Sequence, residues 1–257
     1  MAWHLAAWRQ SIDSATVVEL DTLVDDVLTR SGTKRYLVPS DYRYIHWAIA
    51  TGANVTDARI RAPSLGVRRM DYLIVPRRRG AEQLILTAME ISRPPRPVAL
   101  TATEEISAVA AEDATGASVV NVLVALGPDV LPAAPAGDLR VVRFTATATL
   151  TAGAWTTVTV TPEFSLEPGQ YALVGFIPIS AGCIAARAIF QGGIYRPGFP
   201  GVAGTEAAAV DFDPANLFPL FQFNLGMFTH ITIPQFQFLS SSADTAQTVI
   251  AFVVKTG

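Results

Sequence analysis

Residues 140–150, RVVRFTATATL, followed at 155–161 by WTTVTVT, alternate apolar and polar side chains with a period of two. Val142, Phe144, Ala146, Ala148 and Leu150 fall on one side, and Arg143, Thr145, Thr147 and Thr149 on the other. A strand turns successive side chains to opposite faces, so this spacing predicts half-buried β-strands. The same reading extends outward to 170–179, 183–190, 218–224, 228–239 and 248–254, and in the first half to 43–49, 67–76, 83–89 and 118–126. Strands of this length between Gly/Pro turns suggest sandwiches or barrels. Two segments have helical spacing instead. At 16–29, Val17, Leu20, Leu23, Val24, Val27 and Leu28 line one face. At 101–113, Thr101 and Glu104 form a capping box ahead of Ile106 and Val109.

The halves differ in charge. Residues 1–128 hold 14 basic and 14 acidic side chains, and residues 129–257 only 5 and 8. The change falls at GPDVLPAAPAG, 127–137, which has the composition of a linker. The expected organisation is one domain over 1–127 with an N-terminal helical segment, a linker over 128–137, and a second domain over 138–257. A faint repeat crosses the boundary. PSDYRY (39–44) leads to Arg59, PGQY (168–171) leads to Arg187, and the two arginines are 128 residues apart.

Composition narrows the function. With 257 residues, 50% apolar, 16% charged and a net charge of −3, the chain is neither disordered nor a basic nucleic-acid binder. A mean hydropathy of +0.34 is high for a soluble monomer and calls for burial against a membrane or other protein copies. The uncharged stretches 214–243 and 168–186 are interrupted by prolines and polar residues, so no spanning helix is expected. No secretory leader is expected either, and synthesis is assigned to the cytosol. A lone cysteine, Cys183, excludes an internal disulfide.

Catalytic chemistry finds little support. His4, His46 and His230 are dispersed and form no ligand motif. Asp211 and Asp213 lack the further oxygens a hard cation requires. The loop GGIYRPGFPG, 192–201, has no Gly-Lys-Ser/Thr and is no phosphate cradle; Tyr195, Arg196 and Phe199 are candidates for an outer or contact loop. The expectation is a non-enzyme without metal or cofactor. The conspicuous electrostatic feature is Arg59, Arg61, Arg68, Arg69, Arg77, Arg78 and Arg79, with Asp71 the sole acid between them. Three readings fit: a solvated loop, an intersubunit ion-pair patch, or an inner surface facing anionic lipid or packaged genome.

The sequence resembles the double jelly-roll major capsid proteins of tailless icosahedral bacteriophages, of the adenovirus hexon-like lineage. The features carrying the resemblance are YLVP (36–39), ARIRAPSL (58–65), the Arg/Pro-rich turn, LEPGQYALVG (166–175) and YRPG (195–198). It implies an all-β fold of two tandem jelly-roll β-sandwich domains with short helices. It also implies a virion protein: a homotrimer forming a pseudo-hexameric capsomer, in contact with neighbouring trimers, minor capsid or penton proteins, and internal membrane lipid or genome. The alternative from another class is a carbohydrate- or receptor-binding module, with Trp155, Tyr195 and Phe199 lining a groove.

Overall fold

The computed structural model describes residues 1–78, 91–113, 116–204 and 217–257, with the backbone alone at 77, 78 and 218. The chain is all-β and divides into two units. Among the described residues, the first comprises 4–78 and 91–129, and the second Met1–Trp3 and Val130–Gly257.

Eight principal strands build the first unit: β1 (His4–Ile12), β2 (Arg35–Leu37), β3 (Tyr44–Gly52), β4 (Val55–Arg61), β5 (Tyr72–Ile74), β6 (Val98–Ala99), β7 (Glu105–Glu112) and β8 (Ser118–Gly127). They pair antiparallel in the orders β1-β8-β3-β6 and β2-β7-β4-β5. This is the double Greek key of a jelly roll. Eight more build the second: β9 (Asp138–Ala146), β10 (Trp155–Val158), β11 (Gln170–Ser180), β12 (Cys183–Ile189), β13 (Gly198–Pro200), β14 (Gly226–Thr229), β15 (Gln235–Ser240) and β16 (Gln247–Lys255). Their orders, β9-β16-β11-β14 and β10-β15-β12-β13, repeat the first pattern strand for strand.

The repetition reaches single residues. Arg59 faces Val109 across β4 and β7, while Arg187 faces Gln237 across β12 and β15; both members of the pair move by 128. Tyr44 opposite Ala99 becomes Ala172 opposite Met227 under the same shift. Even the bulges coincide. β3 skips His46 and β11 skips Val174; β4 skips Thr56 and β12 skips Ile184. An unpaired residue bends its strand and re-aims its neighbours, so a repeated bulge is a repeated structural feature.

Side chains fill both sandwiches. In the first, Trp8 packs edge-on against Tyr36 with centroids 4.9 Å apart. In the second, Phe176 meets Phe199 and Phe236 at 5.0 Å each. Trp3 completes that core: its indole donates to the Gly198 carbonyl at 3.0 Å and sits edge-on to Phe199 and Phe223.

Several local expectations are overturned. Residues 16–29 are not helical. Val18–Glu19 pair with β7, and Leu23 bridges Trp8. Asp25 then organises a turn, its Oδ1 accepting from the Val27 and Leu28 amides at 2.7 and 2.9 Å and its Oδ2 meeting His4 Nε2 at 2.8 Å. Asp25 and His4 are both buried, so satisfying that carboxylate outweighs helical periodicity.

The expected helix at 101–113 is the strand β7, because Ile106, Ala108 and Ala110 also satisfy a period of two. The capping chemistry survives in another place. Glu104 accepts from the Thr101 amide at 2.6 Å, but it also takes the Ser64 amide at 2.8 Å and the Ser64 hydroxyl at 2.5 Å. It thereby caps α1 (Pro63–Val67), whose own N-cap, Ala62, offers no side chain for the purpose. Of the strand expected at 67–76, only Tyr72–Ile74 forms. The one at 218–224 contains a short 3-10 turn, Phe218–Leu220, and that at 228–239 is two strands separated by a turn before Pro234. The strand expected at 83–89 lies outside the described residues.

Candidate functional site

Alternation along β4 sends Ala58 and Ile60 into the core and turns Asp57, Arg59 and Arg61 outward. Strand pairing then adds residues distant in sequence. Arg35, Ser107 and Arg61 share one row across the sheet, and Glu19, Val109, Arg59 and Leu73 share the next. Ser107 and Val109 are buried and floor a shallow cavity of about 280 Å³, rimmed by Glu19, Arg35, Arg61, Asp71 and Glu105.

Opposite charges pair throughout. Arg35 donates to Glu19 at 2.9 Å and Glu105 at 2.8 Å, and Glu105 also accepts from the Ser31 hydroxyl. Arg59 forks onto Asp57, and Arg61 reaches Asp71 at 3.2 Å. The hydrogen bond from Arg35 holds Glu19 below the usual carboxylate range. Ser31, and then Arg35, do the same for Glu105. Asp57 in turn makes the Arg59 guanidinium a weaker acid than usual. Three guanidinium groups thus stand among four carboxylates. Counting charge along residues 59–79 misses Glu19, Asp57 and Glu105, which strand pairing or the preceding turn of sequence brings alongside.

The remaining arginines are placed elsewhere. Arg68 follows α1 and donates to the Ala99 carbonyl at 2.7 Å, and Arg69 is exposed beside it. Arg77–Arg78 form a two-residue parallel pairing with Thr51–Gly52 on the other sheet. Arg79 lies outside the described residues, as do Asp211 and Asp213.

In the second unit the equivalent row holds a different cluster. Arg187 is 0% exposed, stacks 4.2 Å from the Trp155 ring centroid and donates through Nε to Gln237 Oε1 at 2.8 Å. Gln237 donates onward to Thr157 Oγ1 at 3.2 Å and also accepts from Arg196. Trp155 lies under Arg187, Tyr195 is half-buried, and Phe199 belongs to the core between Trp3 and Phe176. Placing Phe199 in an outer loop is therefore corrected, because it is the fully buried middle residue of β13, opposite Ala186. With Phe199 enclosed in the core, the three rings expected to line one sugar-binding groove do not share a surface.

Among the described residues, no three His, Cys, Asp or Glu side chains gather to hold a metal ion, and no helix is long and apolar enough to cross a membrane. His46 is mostly buried and meets the Pro128 carbonyl through Nε2 at 2.7 Å; burial lowers its pKa. Cys183 is buried, and desolvation pushes its thiol pKa up, which suppresses the reactive thiolate.

No protein-family model matches the chain, and no curated protein matches it. Among solved structures, the crystal structure of the major capsid protein P2 from bacteriophage PM2 matches over 94% of this chain and 98% of that one, at 9% identity and a TM-score of 0.26. A likeness at that level does not by itself transfer a fold or a role.

Proposed function

We propose that the chain is a structural virion protein, a major capsid subunit whose copies associate as trimers and tile an icosahedral shell. The observation that carries this reading is the internal duplication: two jelly rolls with the same strand order, register and bulges in one chain. Jelly rolls serve capsids, lectins and cupin enzymes alike, so the fold alone does not choose. Three copies of a two-roll chain bring six similar rolls around one axis, a pseudo-hexameric unit able to pack on a hexagonal lattice. Closed cyclic association uses one repeated contact, and such contacts bury the apolar surface that a low-charge β protein otherwise exposes.

In this reading the arginines from Arg59 to Arg79 lie at an intersubunit or inner surface. The balance of guanidinium and carboxylate around Arg59 and Arg61 favours the intersubunit choice for those two, because a polyanion would meet Asp57, Asp71, Glu19 and Glu105 as well. Minor capsid or penton proteins, internal membrane lipid and packaged genome are the further partners, and the virion is the location.

Light scattering of the purified chain, with electron micrographs of the same sample, tests the proposal. The expected result is a species near three times 27.4 kDa, or sheets and shells of pseudo-hexagonal units. A monomer at every concentration would overturn it.

A further inference from the structure

The outer faces of the two corresponding sheets differ. In the first unit one row across β1, β8 and β3 is Leu5, Ala125 and Trp47, and the next is Ala7, Leu123 and Ile49. All six are buried. In the second unit the corresponding rows across β9, β16 and β11 are Val141, Phe252 and Gly175, then Arg143, Ile250 and Ile177. Phe221 roofs the β11 side, its ring 4.8 Å from Phe252. The β9 side is open: Val141 is 62% exposed, Leu139 59% and the adjacent Phe164 79%.

Val141 and Phe164 line a cavity of about 330 Å³ together with Arg140, Arg143, Glu163 and Glu167. The charged rim is matched internally. Arg140 pairs with Asp138 at 3.1 Å and Glu167 at 2.9 Å, Lys255 with Glu167 at 2.9 Å, and Arg143 with Glu163 at 3.7 Å.

From these faces we infer that the open apolar face formed by Leu139, Val141 and Phe164 is the docking surface for a second copy of this chain. This inference rests on the self-assembly reading above and names the contact that reading requires. Two observations select the occupant. The two equivalent rows of this face are buried in the first unit, so this fold carries a surface type that it keeps covered. The rim holds three cations and three anions, so it attracts neither a polyanion nor anionic lipid, and it suits a protein surface of equally low charge. A contiguous exposed apolar patch rimmed by polar residues is the usual mark of such an interface.

The experiment compares wild type, Val141→Asp and a control, Ile231→Asp, which alters an exposed apolar residue in the turn between β14 and β15. Mass is followed by light scattering over a concentration series, with thermal melting to confirm folding. Val141→Asp is expected to weaken association at least 100-fold, while Ile231→Asp associates as wild type does. Association of Val141→Asp at wild-type strength overturns this face and leaves the self-assembly reading standing. Equal dissociation by Ile231→Asp also overturns it, and a wild type that stays monomeric throughout overturns both. Should Val141→Asp fail to fold, Val141→Cys gives a second readout, because the native Cys183 is buried and silent. Maleimide labelling at position 141 is expected to slow at least tenfold in the assembled fraction; equal rates in monomer and assembly overturn the proposal.

Discussion

In the first unit Arg59 projects from the outer face of β4, between Asp57 and Asp71 and open to water. In the second unit Arg187 holds the same rung, 128 residues later, yet it is fully buried, stacked on Trp155 and bonded to Gln237. The neighbours across the ladder are Val109 in one case and Gln237 in the other. One backbone position therefore accommodates either a solvated ion pair or a buried cation stacked on an aromatic ring. The strand pattern sets where the guanidinium starts, and the side chains of the facing strands decide what it means energetically. A surface pair adds little, whereas a desolvated cation with a ring and an amide acceptor carries real stability.

Five substitutions probe that contrast between units, and the largest effect belongs to Trp3. Its indole is enclosed by Phe199 and Phe223, so Trp3→Ala should cost about 4 kcal/mol in denaturant unfolding, as large aromatic truncations do. The loss should appear in the unfolding of the second unit, to which Met1–Trp3 belong. If the first unit alone is destabilised, that assignment is wrong.

Arg187→Ala should cost about 3 kcal/mol, from the lost cation–π contact, the lost hydrogen bond to Gln237 and the space left against the ring. Arg59→Ala should fall within the scatter of the same measurement. Equal effects at the two positions would erase the distinction drawn between them.

A smaller loss is expected at the bulge-adjacent pair Trp47 and Gly175, which also correspond under the 128-residue shift. Where the first unit places a Trp, the second places Gly beneath Phe221, and a Cβ there would lie 2.3 Å from that ring. Gly175→Ala should therefore cost about 2 kcal/mol by overpacking. A neutral result would mean that Phe221 moves aside freely.

The last contrast is His46 against Val174, the residues skipped at the equivalent bulges. Burial depresses the His46 pKa, so the folded state prefers the neutral ring. Stability from this group is present above the unfolded pKa of about 6.5 and is lost as pH falls through it toward the lower folded value. Melting curves between pH 7.5 and 5.5 should show the first unit weakening on acidification, and His46→Gln should flatten that dependence while retaining a donor for Pro128. An unchanged slope in the variant would assign the pH response to another group.

Much of the fold is legible from periodicity. The alternation at 140–150, 170–179 and 248–254 corresponds to β9, β11 and β16, and the 128-residue spacing of Arg59 and Arg187 marks a repetition that the ladders extend to bulges. Misread segments share a physical cause. EISAVAAE, 105–112, fits either a helix or a strand, and only pairing with β2 and β4 selects the strand. Residues 16–29 have helical spacing, but Asp25 finds its partners in His4, Val27 and Leu28, none of which a period can indicate. The arginine-rich stretch is visible in the sequence as a run of charge with Asp71 inside it. Glu19 and Glu105 are not, since they reach Arg35 and the cavity only through strand pairing.

By itself the sequence determined that this chain is largely β, low in charge, and marked by a faint repeat at half its length. Those properties follow from side-chain spacing and composition, which are local quantities. Tertiary structure decided which face of each strand is dry: why Phe199 is core rather than loop, why Arg187 is buried while Arg59 is wet, and why Val141 is open where Leu5 is enclosed. Alternation says that a strand has two faces. Only the sheets packed against it say which face meets water.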